Sequence, residues 1–307
     1  MKITIIGSGA MGSLFGGRLA AAGSEVVLYD VYREHVDAVN RDGLAIEQAG
    51  STEVTVCRPA ASADPESVRG ADVMIVFVKS TSTDEAARQF VPYARRDTIV
   101  LTLQNGLGNE AIIRSHFGAE RTAAGVTSQG ATFLGPGRIR HAGRGPTHVG
   151  MADGRQEKLG ALAAALSAAG FETHVEPDVA SLVWSKLIVN VGINALTAIM
   201  RQPNGRLLDF DETKAVMADL VAEAMAVARA RGVRITHADP LATVYEVAKK
   251  TGANRSSMLQ DFDRSRLSEI DFINGAIVRE ASEAGVAVPV NATVTRLIKA
   301  LEKARGA

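Results

Sequence analysis

Cysteine occurs once in the 307 residues, at Cys57. An internal disulfide and a cysteine-based zinc site are both excluded. Neither sign of charge is in excess: Lys+Arg and Asp+Glu are both 34, and the pI is near 7. The basic field that neutralises nucleic-acid phosphates is therefore missing in bulk. Long apolar runs are scarce too, since stretches such as Val73–Val78 fall far short of the ~20 residues that span a bilayer. Met1-Lys2 leads directly into Ile3-Thr4-Ile5-Ile6, without the apolar length or small-residue cleavage pattern of a secretion signal. The histidines (His35, His116, His141, His148, His174 and His237) show no close ligand pairing, so no metal site is expected. What is present, 46% hydrophobic and 22% charged residues, is the composition of a globular chain. At roughly 100–200 residues per domain, the length predicts two domains. The expectation is a soluble, cytoplasmic protein with no nucleic-acid or membrane partner.

The first third alternates short β-branched runs with helical stretches, the pattern of a parallel sheet covered by helices. Strands are expected at Lys2–Ile6, Glu25–Tyr29, Val73–Phe77 and Thr98–Leu103, and helices at Ala10–Ala22, Glu34–Arg41 and Asp84–Ala94. Asp64-Pro65-Glu66 reads as a helix start, capped by Asp64 or by Ser62. From Thr122 to Val149, frequent glycines predict antiparallel hairpins, with Gly135-Pro136-Gly137 as a turn. Arg138, Arg140, His141 and Arg144 form a basic run there, read as a solvated loop. A helix over Arg155–Ala169 and a strand at Phe171–Val175 follow. Beyond Pro177, apolar residues recur every three to four positions over Val179–Met200, Lys214–Arg231, Pro240–Lys250, Glu269–Ala284 and Val290–Lys303. Gly232 and Gly285 stand where helix-terminating glycines sit. The apolar face of Met217–Ala228 suits either a dimer interface or the packing of its own domain.

Gly7-Ser8-Gly9-Ala10-Met11-Gly12 is a G-x-G-x-x-G that follows a strand and opens a helix, the context of a dinucleotide-binding turn. The first glycine permits the turn, the second lets a pyrophosphate approach the backbone, and the third lets helix pack on strand. The fold class is thus α/β: a Rossmann dinucleotide-binding domain over 1–177, then an all-helical substrate domain over 178–307. Asp30 ends the second strand, where an acid bonds the adenosine ribose and repels a 2′-phosphate. That favours NAD over NADP, although Arg33 could reach a 2′-phosphate and Asp30 could equally cap the next helix. Lys79 and Gln104-Asn105-Gly106 also fall at strand C-terminal ends, where ligands of open α/β sheets collect.

In the strongly apolar segment from Trp184 to Thr197, Lys186, Asn190 and Asn194 are spaced by four and share one helical stripe. Buried polar groups need partners. They form a seam to neighbouring helices, or the lysine is a proton donor and the asparagines hold a polar substrate. Asn254-Arg255-Ser256-Ser257 suits a small carboxylate or a helix cap. Glu269 and Asn274 read as site or surface.

Taken together, the chain resembles the ketopantoate reductases. The resemblance is carried by Gly7–Gly12, Lys79, Gln104–Gly106, Trp184-x-Lys186-x-x-x-Asn190-x-x-x-Asn194, Pro203-Asn204-Gly205, Ser256–Asp261 and Glu269–Gly275. It implies that Lys186 donates the proton and that Asn190, Asn194, Asn204, Ser257 and Asn254 bind a 2-oxo acid. Lys79, Asn105 and Glu269 would contact the cofactor, with Ala131 beside it. The family fold places catalysis between a Rossmann and a helical domain, and family habit points to a homodimer. The chain departs from the NADPH-specific pattern at Asp30, where a basic residue is usual. The implied reaction is NAD(P)H-dependent reduction of 2-dehydropantoate. The alternative is an NAD-dependent D-2-hydroxyacid dehydrogenase acting on a branched or aromatic 2-oxo acid.

Overall fold

The computed structural model describes residues 1–306. They form two compact units, one comprising Met1–Gln104 and Asn109–Val179, the other Asn105–Gly108 and the chain from Ala180 onward. The first runs β1 (Lys2–Ile6), α1 (Ala10–Ala21), β2 (Glu25–Tyr29), α2 (Arg33–Asp42), β3 (Leu44–Gln48), β4 (Val54–Cys57) and β5 (Ala60–Ser62). It continues with β6 (Val73–Val76), α3 (Thr83–Phe90), β7 (Ile99–Thr102), α4 (Asn109–Phe117), β8 (Thr122–Thr127) and β9 (Gly130–Gly135). It ends with β10 (Arg138–Gly143), β11 (Thr147–Met151), α5 (Gly160–Ala168) and β12 (Thr173–Val175).

Eight strands form the main sheet in the order β12-β11-β8-β7-β6-β1-β2-β5. All neighbours are parallel except β8 and β11. The central strands are apolar throughout because both faces are covered. Ile3, Ile5, Leu28 and Ile75 pack with α1 and α5, whereas Ile6, Met74 and Val76 pack with α3 and α4. Strand order reverses between β1 and β6, the crevice where open parallel sheets bind ligands.

A second sheet, β4-β3-β10-β9, lies on the outer side of α1. Helix α1 is thus squeezed between two sheets, and its small residues follow from that. A Cβ at Gly16 would stand 2.2 Å from Leu28 Cδ2 of the main sheet, and one at Gly17 would stand 2.8 Å from Leu44 Cδ2 of the second. The short β3, β4 and β5, and helix α4, carry patterns too brief to be expected from sequence. The basic run is corrected from loop to strand. Arg138 and Arg140 point outward from β10 onto Glu47 (2.7 and 3.0 Å), while His141, on the opposite face, is buried. Arg144 bonds Gln48. At Asp64 the predicted cap forms, its Oδ1 accepting from Glu66 N at 3.0 Å, but the turn it opens is a short 3-10 helix. Pro92 likewise ends α3 early, in a 3-10 turn over Val91–Tyr93, and the predicted Arg155–Ala169 helix begins as one over Gln156–Leu159.

The second unit contains α6 (Val179–Met200), α7 (Asp211–Ala230), α8 (Pro240–Lys250), α9 (Ser257–Asp263), α10 (Asn274–Ala284) and α11 (Pro289–Ala304). By length and composition α6 could cross a membrane, but 67% of its apolar stretch is buried against the other helices, making it the core helix. The apolar face of α7, Met217, Leu220, Val221, Ala224, Val227 and Ala228, is spent in the same core.

Asn274 is not surface. It is fully buried, donating to Val191 O of α6 (3.3 Å) and to Asn291 Oδ1 (3.1 Å). Asn291 in turn donates to Leu220 O (3.1 Å) and to Glu223 (2.8 Å), tying four helices together. The expected Glu269–Ala284 helix breaks at Ile273. The break frees Phe272 O to accept from Leu107 N (2.8 Å) and brings Phe272 onto Gly106, where no Cβ would fit.

The packing of α1 makes a paired prediction. Gly16→Ala should lower stability by about 1–3 kcal/mol through overpacking. Gly160→Ala, with nothing within 4 Å of the added carbon, should gain about 0.5 kcal/mol from helix propensity. Urea midpoints of the two variants check the opposite signs.

Candidate active site

In the first unit, the turn after β1 is built by glycines with different tasks. Gly7 holds φ at +91°, and a Cβ there would meet Val78 N at 2.7 Å. At Gly12 a Cβ would stand 2.0 Å from Gly7 O, so only hydrogen lets the helix close on the turn. Gly9 is exposed and has nothing within 4 Å of where a Cβ would point. It is also the N-cap of α1, and no side chain caps that helix. The first-turn amides and the positive helix end are thus presented through Gly9, with Ala10 and Met11 half-exposed beside it.

Asp30 sits against this turn. Its Oδ2 accepts from Ser8 N (2.6 Å) and Ser8 Oγ (3.2 Å), and its Oδ1 accepts from Tyr32 N (3.0 Å). It does not cap α2, whose N-cap is Tyr32. Arg33 is the exposed first residue of α2. The uncapped helix-end amides have the chemistry to take a pyrophosphate, and the Asp30 carboxylate beside them has the chemistry to accept from ribose hydroxyls.

Lys79, exposed, follows β6 and starts the 3-10 turn Ser80–Ser82. Beneath it Gln104 donates to Val78 O (2.7 Å) and Thr83 Oγ1 (2.8 Å). Thr83 donates to Asn109 Oδ1 (2.8 Å), and Asn109 donates to Ser80 Oγ (3.0 Å). Ala131, on β9, is half-buried on the core that contains α1.

In the second unit, α6 carries Lys186, Asn190 and Asn194 on one stripe, with Asn194 buried and the other two half-buried. Although part of the Lys186 side chain reaches solvent, its ammonium is desolvated. That brings its pKa down to about 8, against the opposing pull of the Glu269 charge. Glu269 is only 8% exposed, so the surface reading of this residue is set aside. Asn105 opens the short segment that packs with this unit.

The remaining polar residues converge through two contacts. Asn204 N donates to Asn254 O (2.9 Å), and Thr197 Oγ1 and Ser256 Oγ are 2.6 Å apart. Ser256 is the cap of α9, accepting from Leu259 N, which leaves Ser257 half-exposed at the first helical position. Asn204 donates to Thr251 Oγ1 (2.8 Å), but its buried Oδ1 has no partner. Thr197, a small polar residue with no sequence signal of its own, continues the stripe three residues beyond Asn194. Among the described residues no group of three or more His, Cys, Asp or Glu could hold a metal ion.

An amine near neutrality, carboxamides in line with it and a dinucleotide-type turn are the parts of a carbonyl reductase. The family described as Ketopantoate reductase PanE/ApbA matches residues 3–154, and its C-terminal part matches 178–302. A 2-dehydropantoate 2-reductase of Halobacterium salinarum is 38% identical over 99% of both chains. The PanE/ApbA family ketopantoate reductase of Ralstonia eutropha JMP134 superimposes with TM-score 0.91 at 36% identity, covering all of both chains. D-mandelate dehydrogenase, solved with NADH and anilino(oxo)acetate, gives 0.92 at 30% over the same coverage. The chain belongs to the ketopantoate reductase family, pyridine-nucleotide-dependent oxidoreductases acting on a CH–OH group.

Proposed function

We propose that this chain reduces the C2 carbonyl of 2-dehydropantoate to D-pantoate, with Lys186 as proton donor. The observation that carries the reading is the desolvated Lys186 ammonium, near 8, on one stripe with Asn190 and Asn194. The reduced nicotinamide supplies the hydride. Lys186 protonates the oxygen that becomes the hydroxyl as its carbon neighbour gains the C–H bond, so one hydride and one proton, two electrons and two hydrogens in all, end on the substrate. Asn190, Asn194 and Asn204 hold the hydroxyl end of the substrate, and Ser257 with Asn254 meets its carboxylate. Asn105 borders the substrate and the cofactor. The Gly7–Gly12 turn takes the pyrophosphate, while Lys79, Ala131 and Glu269 line the cofactor toward its nicotinamide end. Orientation of the reacting groups supplies much of the rate.

NAD is the proposed cofactor. A 2′-phosphate would meet the Asp30 carboxylate, already fixed by Ser8 and Tyr32 amides, and the cation beside it in the chain that could draw it in is Arg33. A second reading, an NAD-linked dehydrogenase of aromatic 2-oxo acids, is supported by the likeness to D-mandelate dehydrogenase. On the first reading the enzyme works in the cytoplasm, with its cofactor domain ending near Pro177. The homodimer rests on family habit, because the α7 face is occupied by its own core.

Initial rates with 2-dehydropantoate and with the 2-oxo acid of mandelate, using NADH and NADPH side by side, test these choices. NADH should be preferred, and Asp30→Ser should narrow the gap roughly tenfold or more. Turnover with NADPH alone would overturn the reading of Asp30.

Lys186→Ala should lower kcat by about 100-fold or more while leaving NADH affinity near that of the wild type. As a donor, Lys186 must carry its proton, so reduction should fall as pH rises through about 8. Glu269 raises the Lys186 pKa, so Glu269→Gln should move that alkaline limb to lower pH. An unmoved limb in the pH–rate profile would detach Glu269 from the donor.

A further inference from the structure

His35 is buried in the first unit and has no part in the reaction above. It lies on α2, yet its ring bonds two other elements. Gly137 N, in the β9–β10 turn, donates to Nδ1 (3.0 Å), and Ser13 Oγ of α1 lies 3.1 Å from Nε2. Ser13 spends its own proton on Ser8 O (2.7 Å), so toward His35 it accepts. The ring is therefore neutral, with its proton on Nε2. Ser8 is gripped from both sides, its N–H and hydroxyl by Asp30 and its carbonyl by Ser13.

We propose that neutral His35 is a positioning residue for dinucleotide binding. Acting through Ser13, it fixes the Ser8 carbonyl and so the shape of the Gly7–Gly12 turn, and its protonation weakens nucleotide binding. This rests on the dinucleotide reading of that turn. A protonated ring would carry N–H on both nitrogens and set Nδ1–H against the Gly137 N–H. The surroundings disfavour that state: burial lowers the His35 pKa, with the Asp30 charge opposing. Asp30, at the end of β2, is the charged group acting on the ring. The other elements packed on it present Ser13 from α1, Gly137 from the turn and the Phe133 ring from β9, with centroids 5.2 Å apart. Nucleotide affinity is thus level through neutral pH and falls only on the acid side.

Calorimetric titration of ADP-ribose into the full chain tests this on wild type and His35→Gln, at about pH 7.5 and about pH 5.0. Circular dichroism at each pH confirms that the fold is retained. Wild type should lose about twofold or more in affinity at the acid pH, and the variant should be weaker at neutral pH and indifferent to the change. In steady state the variant's loss should fall on KM for NADH rather than on kcat. Equal affinity of the two proteins, or wild-type affinity that holds or rises in acid, overturns the role of His35. No binding of ADP-ribose to wild type at neutral pH overturns the dinucleotide reading itself, and the proposal with it. Long-range proton–nitrogen correlation of the wild-type ring needs no variant. An Nε2–H tautomer supports the proposal, and an Nδ1–H or charged ring defeats it.

Discussion

Desolvation of the Lys186 ammonium is the constraint around which the helical unit is arranged. An isolated buried charge costs several kcal/mol, so the amine either neutralises or finds an opposite charge. Here both happen in part: burial pulls its pKa down and Glu269 pulls it back, leaving it near 8. That balance depends on where α6 lies relative to the turn that carries Glu269. The position of α6 is fixed just past Asn190, where Val191 O accepts from Asn274, whose partner Asn291 is bonded to α7 at Leu220 and Glu223. The helix break at Ile273 separates the Glu269 turn from α10, so the carboxylate and the anchoring amide can be aimed independently.

The first unit meets a different constraint, close backbone approach. Presenting helix-end amides to a phosphate requires that no side chain stand above them and none cap them, which is the state of Gly9. A turn so bare has little of its own to hold it. Support comes from beneath and behind: Gly12 closes on Gly7 O, Asp30 takes the Ser8 amide, and Ser13 takes the Ser8 carbonyl. The second sheet, which presses α1 from its outer side, also supplies the Gly137 amide that fixes His35. Packing and polar anchoring thus converge on the six-residue turn Gly7–Gly12.

Most of this frame was legible in the residues. β1, β2, α6 and α8 coincide with their predicted spans because each has a long or unambiguous period and clear punctuation. The glycine turn and the Lys186 stripe were legible because spacing alone defines them. What escaped depends on distant partners. β3 to β5 are three to five residues long and gain their order by pairing with one another, with β2 and with a hairpin some 90 residues later. Arg138 and Arg140 looked like a solvated loop because alternation with Ile139 and His141 means nothing until Glu47 is known to lie opposite. Asn274 and Glu269 stay open between site and surface in the sequence because polar residues on a helix are usually exposed, and only the tertiary contacts show them buried. The break at Ile273 is set by a carbonyl wanted by Leu107, which local sequence does not announce.

The choice among 2-oxo acids turns on an asymmetry in what polar and apolar sites can reject. Asn204, proposed to hold the hydroxyl end of the substrate, has its amide nitrogen committed to Thr251 and its Oδ1 buried without a partner. An acceptor left so costs about 1–3 kcal/mol, which on the proposed reading a substrate hydroxyl recovers once the Asn204 side chain shifts to meet it. The 2-oxo acid of mandelate has no hydroxyl to give there, and sites built to bond a hydroxyl discriminate against analogues lacking it by about 10⁴–10⁵. An apolar pocket gains far less from each extra carbon, about 1–3 kcal/mol per methylene at most. Ketopantoate carries both the hydroxyl and the branched carbon beside its carbonyl, so with Asn204 in its proposed role it has a donor for that oxygen and an aromatic acid has none. On that reading the hydroxylated substrate outranks the aromatic one on this scaffold, even though the backbone superimposes on a mandelate enzyme as well as on a ketopantoate reductase (TM-scores 0.92 and 0.91).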